Sequence, residues 1–107
     1  MKYLSAFPDY DDELSVPKGW FDSSSADDPC PSITDKNKIV KIFQDYKNPE
    51  NRKDNGRFYP RFCAVIVNPV YQSGKYKDKI GLANLDDFRD VLKTSQSFLK
   101  SLGLGRI

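Results

Sequence analysis

The sequence predicts a small α+β domain. It would be an antiparallel β-sheet of about three strands, packed by one C-terminal α-helix, with an irregular N-terminal strap over the other face. Three observations lead there. Two β-branched and aromatic runs are bounded by turn residues. The last twenty or so residues carry an apolar stripe at helical spacing. The first 36 residues hold Pro8, Pro17, Pro29 and Pro31, which break any long helix or central strand.

The strap comes first in the chain. It has no sustained periodicity, yet it carries Tyr3, Leu4, Phe7, Tyr10, Leu14, Val16, Trp20 and Phe21, more apolar bulk than a disordered tail holds. One helical turn is expected near Tyr10–Leu14. A type I turn is expected at "VPKG", with Pro17 second and Gly19 fourth. The stretch "GWFDSSSADDPCPS", residues 19–32, reads mainly as packing material. Its prolines hold it extended, its Ser and Asp side chains satisfy turn amides, and Trp20 lies on the sheet.

The body follows, over residues 37–107, so that the chain forms one domain. "KIVKIFQDY", residues 38–46, is the first strand, with Val40 and Ile42 on one face. Residues 47–56 are a polar loop. "RFYPRFCAVIVN", residues 57–68, is the strongest strand. Pro60 and the Asn68-Pro69 step limit its paired part to about Arg61–Asn68. Its two faces, Phe62, Ala64 and Ile66 against Cys63, Val65 and Val67, are both apolar, and both should be covered. "YKDKIGLA", residues 76–83, makes a third strand. The helix then starts at an Asn84 N-cap, with Leu85, Phe88, Val91, Leu92, Ser95, Leu99 and Leu102 on one stripe. Phe98 borders it and Gly103 ends it.

Composition limits the chemistry. The chain is 38% hydrophobic and 30% charged, within the range of globular domains. No apolar run reaches the roughly 18 residues that would span a membrane, and no secretory h-region is present, so the expected location is cytoplasmic. There is no histidine, which removes Ser-His-Asp and Cys-His catalysis and His-ligated metals. Cys30 and Cys63 are too few for a disulfide framework or a structural zinc site. Asp27 and Asp28, with Asp22 and Asp35, match no calcium loop, and Cys30 has no neighbouring base. No catalytic residue, metal ligand or cofactor is therefore assigned.

Charge is unevenly spread. Residues 1–35 carry eight acids against two bases, and residues 36–107 carry fifteen bases against seven acids. The acidic segment is expected to lie on the basic body. One place combines bases with flat aromatic groups: Arg52, Lys53, Arg57, Phe58, Tyr59 and Arg61, with Tyr76 across a turn. These seven form the candidate binding surface. The size and organisation suit a small bacterial or phage-type accessory protein, a non-catalytic module that binds another protein. Two alternatives remain open. One is a single-stranded nucleic-acid binder with little sequence selectivity, using stacking and phosphate contacts. The other is a small His-free enzyme using Asp27, Asp28 or Cys30.

Overall fold

A computed structural model describes residues 2–53, 60–71 and 81–103, with the backbone alone over Gly81–Leu85. It has a helix α1 (Lys2–Ala6), strands β1 (Trp20–Asp22), β2 (Ser32–Asp35), β3 (Val40–Gln44), β4 (Phe62–Ile66) and β5 (Gly81–Leu85), and a helix α2 (Phe88–Ser101). Single 3₁₀ turns fall at Pro49–Asn51 and Pro69–Tyr71. The five strands form one antiparallel sheet in sequence order, β1-β2-β3-β4-β5. The α+β class and the C-terminal helix stand as the sequence predicts. The three expected strands are present as β3, β4 and β5.

Two further strands come from the segment read as an irregular strap. Trp20↔Asp35, Phe21↔Thr34 and Asp22↔Ile33 are paired, and Ile33 pairs in turn with Ile42. The stretch at residues 19–32 is thus one strand and the loop leading into the next. The entry to β1 is a turn closed by the Trp20 N–H donating to the Pro17 carbonyl, 3.1 Å. Gly19, at its third position, has φ +87°, the pattern of a type II turn one residue later than expected. The helical turn forms at Lys2–Ala6, ahead of Tyr10–Leu14.

One face of the sheet is buried over β2, β3 and β4. Partners across a ladder share a face. The registers Asp22↔Ile33, Ile33↔Ile42, Ile42↔Ala64 and Gln44↔Phe62 therefore place Asp22, Ile33, Ile42, Gln44, Phe62 and Ala64 together, with Val40 and Ile66 in the same alternation. Ile33, Val40, Ile42, Ala64 and Ile66 are all buried there. On the opposite face Ser32 and Thr34 are buried, and Lys41, Phe43, Cys63 and Val65 are half-buried. Helix α2 packs on the buried face, where the Phe88 ring meets Phe62 edge-on at 5.6 Å. Val91, Ser95, Phe98 and Leu99 are its buried positions.

The N-terminal segment lies on this same face. Gln44, buried, donates through Nε2 to the Ser15 carbonyl at 2.7 Å and accepts the Ser15 N–H on Oε1 at 3.0 Å. Tyr3, Phe7, Tyr10, Leu14 and Trp20 belong to the same core cluster as Val91, Phe98 and Leu99. The expectation of helix on one face and strap on the other is corrected accordingly. Once β1 and β2 widen the sheet, α2 covers only part of the buried face, and the aromatic segment fills the remainder.

Boundaries shift for local reasons. Strand β3 begins at Val40 because Lys38, at φ +58°, turns the chain out of β2. The third strand is at Gly81–Leu85, and residues 76–80 lie outside the described ones. Because Asn84 pairs with Cys63 in the ladder, the N-cap passes to Asp87, whose carboxylate accepts the Arg89 N–H at 2.8 Å. At the other end Gly103 has φ +79° and its N–H donates to the Lys100 carbonyl, as the sequence predicts for a helix-ending glycine.

Candidate functional site

Of the seven residues proposed from sequence, the structure describes three. Arg52 donates to the Tyr46 carbonyl at 2.6 Å and to the Lys47 carbonyl at 3.0 Å, which folds it back on its own loop. Lys53 is exposed. Arg61 donates to the Asp12 carboxylate at 2.8 Å, to the Asp45 carbonyl at 2.9 Å and to the Tyr10 hydroxyl at 3.4 Å, and lies over the Phe62 ring. Arg57, Phe58, Tyr59 and Tyr76 lie outside the described residues. Arg52 and Arg61 thus each direct Nε and one terminal nitrogen to partners within the chain.

The acidic segment supplies two of those contacts, through Tyr10 and Asp12, and makes others to the end of β3 and the loop after it. Asp11 accepts the Lys47 and Asn48 N–H groups at 2.7 and 2.8 Å. Asp9 accepts the Tyr46 hydroxyl at 2.7 Å, and Tyr10 donates to the Gln44 carbonyl at 3.0 Å. Burial pushes the Asp11 carboxyl up, but the Asn48 and Lys47 donors outweigh it and hold the group below its ordinary value. The Arg61 guanidinium, with the Glu13 N–H, holds Asp12 below its ordinary value. A carboxylate with a lowered folded pKa adds stability that is present above its unfolded pKa, near 4, and is lost as pH falls through the folded value. Asp45 works in the opposite sense, because burial raises its pKa. Acid titration of the wild type is therefore expected to weaken the fold below about pH 4. Asp12→Asn should be less stable at neutral pH and lose less on acidification. Urea unfolding at a series of pH values checks this; parallel curves for the two chains would remove Asp12 from the acid response.

Two of the three residues of the enzymatic alternative, Asp28 and Cys30, are held within the fold. Asp28 pairs with Lys41 at 2.8 Å. Asp27 is exposed, and its N–H donates to the Ser25 hydroxyl. Cys30 is buried, and desolvation, with the Asp45 and Asp28 charges, pushes its thiol far above the ordinary value. A thiol so placed stays protonated and is a poor nucleophile. Asp35, buried, accepts the Asn37, Ile39 and Val40 N–H groups between 2.6 and 3.0 Å, which shapes the β2–β3 connection. Cys30 and Cys63 are both free thiols. Among the described residues no group of three His, Cys, Asp or Glu is placed to hold a metal ion.

A different corner of the molecule is open. Four large apolar side chains are exposed among the described residues: Leu4 (41%), Val16 (45%), Phe21 (38%) and Val70 (73%). Phe21 lies in β1, Val16 precedes that strand by four residues, and Leu4 lies in α1, whose Tyr3 bonds Asp22. Val16 lines an open groove of about 400 Å³ with Lys2, Tyr3, Glu13, Leu14 and Asp22. Leu4 follows Tyr3 in α1, and Phe21 sits within β1 on the sheet face away from the groove. The Asp22 carboxylate, which accepts the Tyr3 and Ser24 N–H groups at 2.8 and 3.0 Å, fixes α1 beside the strand.

Strand β1 is also an edge. Gly19 and Ser23 bond to Lys36 and Ser32 of the neighbouring strand and its ends. Antiparallel bonding alternates, so Phe21 faces Thr34 with both its backbone groups, and those of Trp20 and Asp22 point outward. The Trp20 N–H is taken by the Pro17 carbonyl. The Trp20 carbonyl and both backbone groups of Asp22 carry no partner among the described residues. Sequence reasoning missed this corner. Its only local signal was the alternation that turns Trp20 inward and Phe21 outward.

Comparison with protein-family models, with curated proteins and with solved structures finds no match for this chain. No helix among the described residues is long and apolar enough to cross a membrane.

Proposed function

We propose that the protein is a non-catalytic binding module that acts through a protein–protein surface. The observation that supports this reading is the exposure of Val16 in the open groove and of Phe21 on the other face of the β1 edge. Exposed apolar groups scattered singly need no explanation, but ones that flank an open sheet edge beside a groove fit an interaction surface. The engagement of Arg52 and Arg61 within the chain favours this corner over the basic end of the molecule. The buried, protonated thiol of Cys30 and the pairing of Asp28 with Lys41 favour binding over catalysis.

A partner isolated on the immobilised chain provides the test. The double change Val16→Asp and Phe21→Asp is expected to weaken its binding at least about tenfold, as loss of interface anchors does. Val70→Asp, away from β1, should leave binding within about twofold. Retention of full affinity by the folded double variant would overturn the reading. Binding to a single-stranded oligonucleotide with steep salt dependence, unaffected by the double change, would favour the nucleic-acid alternative.

A further inference from the structure

We infer that the β1 edge takes up an extended, basic segment of a partner protein as a sixth, antiparallel strand. This rests on the protein-binding reading and specifies its mode. Strand addition needs three things: unpaired backbone groups on an edge, room for the added strand's alternate side chains, and chemistry that selects them. All three meet at Asp22.

The backbone supplies affinity and register. The N–H and carbonyl of Asp22 point outward, so one residue of an incoming antiparallel strand exchanges two hydrogen bonds with it. The outward Trp20 carbonyl accepts a third. Three residues make β1 short, which limits indiscriminate pairing of the edge and leaves selectivity to the side chains.

The side chains specify the residue type. A residue opposite Asp22 shares its face and so lies over the groove. The groove is lined by apolar Tyr3, Leu14 and Val16, with the carboxylates of Glu13 and Asp22 against the single base Lys2. A lysine fits both parts: its methylene stem covers apolar surface while its ammonium reaches the two carboxylates. The flanking residues of the added strand fall on the other face, beside exposed Phe21, and should be apolar. The segment is thus apolar–Lys–apolar over three residues. A second copy of this chain is a poor occupant. Two-fold pairing about residue 21 or 22 would bring both Asp22 carboxylates, with both Glu13 side chains, onto one strip of surface.

The test uses the peptide acetyl-Thr-Val-Lys-Val-Thr-amide, followed through the backbone amide signals of the whole chain. At about 1 mM peptide the Phe21, Asp22 and Ser23 amides are expected to shift. N-methylation of the peptide's lysine nitrogen removes one strand bond and blocks the close approach, and should weaken binding about tenfold or more. Replacing that lysine by norleucine should weaken binding to the wild type several-fold. It should do so much less with Glu13→Gln, an exposed change that leaves the fold intact. Equal binding of the N-methylated peptide would overturn strand addition. So would absence of binding by the parent peptide, or dimerisation of the chain through β1. If the partner's binding remained sensitive to Val16→Asp and Phe21→Asp in any of these cases, the protein-binding reading would survive while its mode failed.

Discussion

A chain starting at residue 37 should not fold. It lacks α1, β1 and β2, and with them Tyr3, Phe7, Tyr10, Leu14, Trp20, Cys30 and Ile33, all buried in the common core. Burial of a large apolar side chain contributes roughly 1.5–3 kcal/mol. Losing even four of them removes an amount comparable with the whole stability of a small domain, about 5–15 kcal/mol. The truncation also bares Ile42 and Val40 and leaves β3 as an unprotected edge, so association is expected in place of a soluble monomer. Thermal unfolding followed by circular dichroism decides the matter. A cooperative transition for residues 37–107 at the wild-type midpoint would show that the acidic segment is an appendage, contrary to the shared core.

Leu99→Ala should cost about 2–5 kcal/mol, the range for a large-to-small change at a fully buried position. Leu99 is buried on the last turns of α2, and the same helix presents Lys93 to solvent. Lys93→Ala should change stability by less than about 0.5 kcal/mol. Chemical denaturation of both variants compares them directly. Similar small effects would mean that the stripe of α2 does not carry the packing assigned to it. Phe88→Ala should fall below Leu99→Ala, because Phe88 is only half-buried despite its edge-on contact with Phe62.

The elements that could be read from sequence are those whose pattern is long. Helix α2 has four turns in which Val91, Ser95, Phe98 and Leu99 repeat at spacings of three and four, so its existence and its buried side followed from periodicity. Its start did not, because Asn84 and Asp87 are equally good caps. The choice is made by pairing of Asn84 with Cys63, a contact that no local window contains. Strands β3 and β4 had β-branched runs between breakers. β1 and β2 have three and four residues, and β2 is Ser-Ile-Thr-Asp, with a single strongly apolar side chain to show an alternation. Pro29 and Pro31 just ahead of it argued against a strand, yet Pro31 precedes β2 and gives up no ladder donor from within it.

The placement of the N-terminal segment was hidden for a related reason. Its aromatic residues announced that it packs, but which face they cover depends on the width of the sheet. Gln44, reaching Ser15, and Tyr10, reaching the end of β3, are long-range contacts with no signature in their own neighbourhoods. The functional surface shows the same limit. Arg61 beside Phe58 and Tyr59 had the composition of a nucleic-acid surface, and composition could not reveal that Asp12 and the Asp45 carbonyl take its donors. An edge strand exists only relative to sheet order, so the open groups of Asp22 became visible only once β1 was placed outermost.

Amide hydrogen exchange of the chain, free and bound to its isolated partner, tests the binding surface most directly. The account predicts slowed exchange at the Asp22 amide and its neighbours in β1, with residues 47–53 unchanged. Slowed exchange at residues 47–53, with β1 unchanged, would contradict it and return the site to the basic end of the molecule.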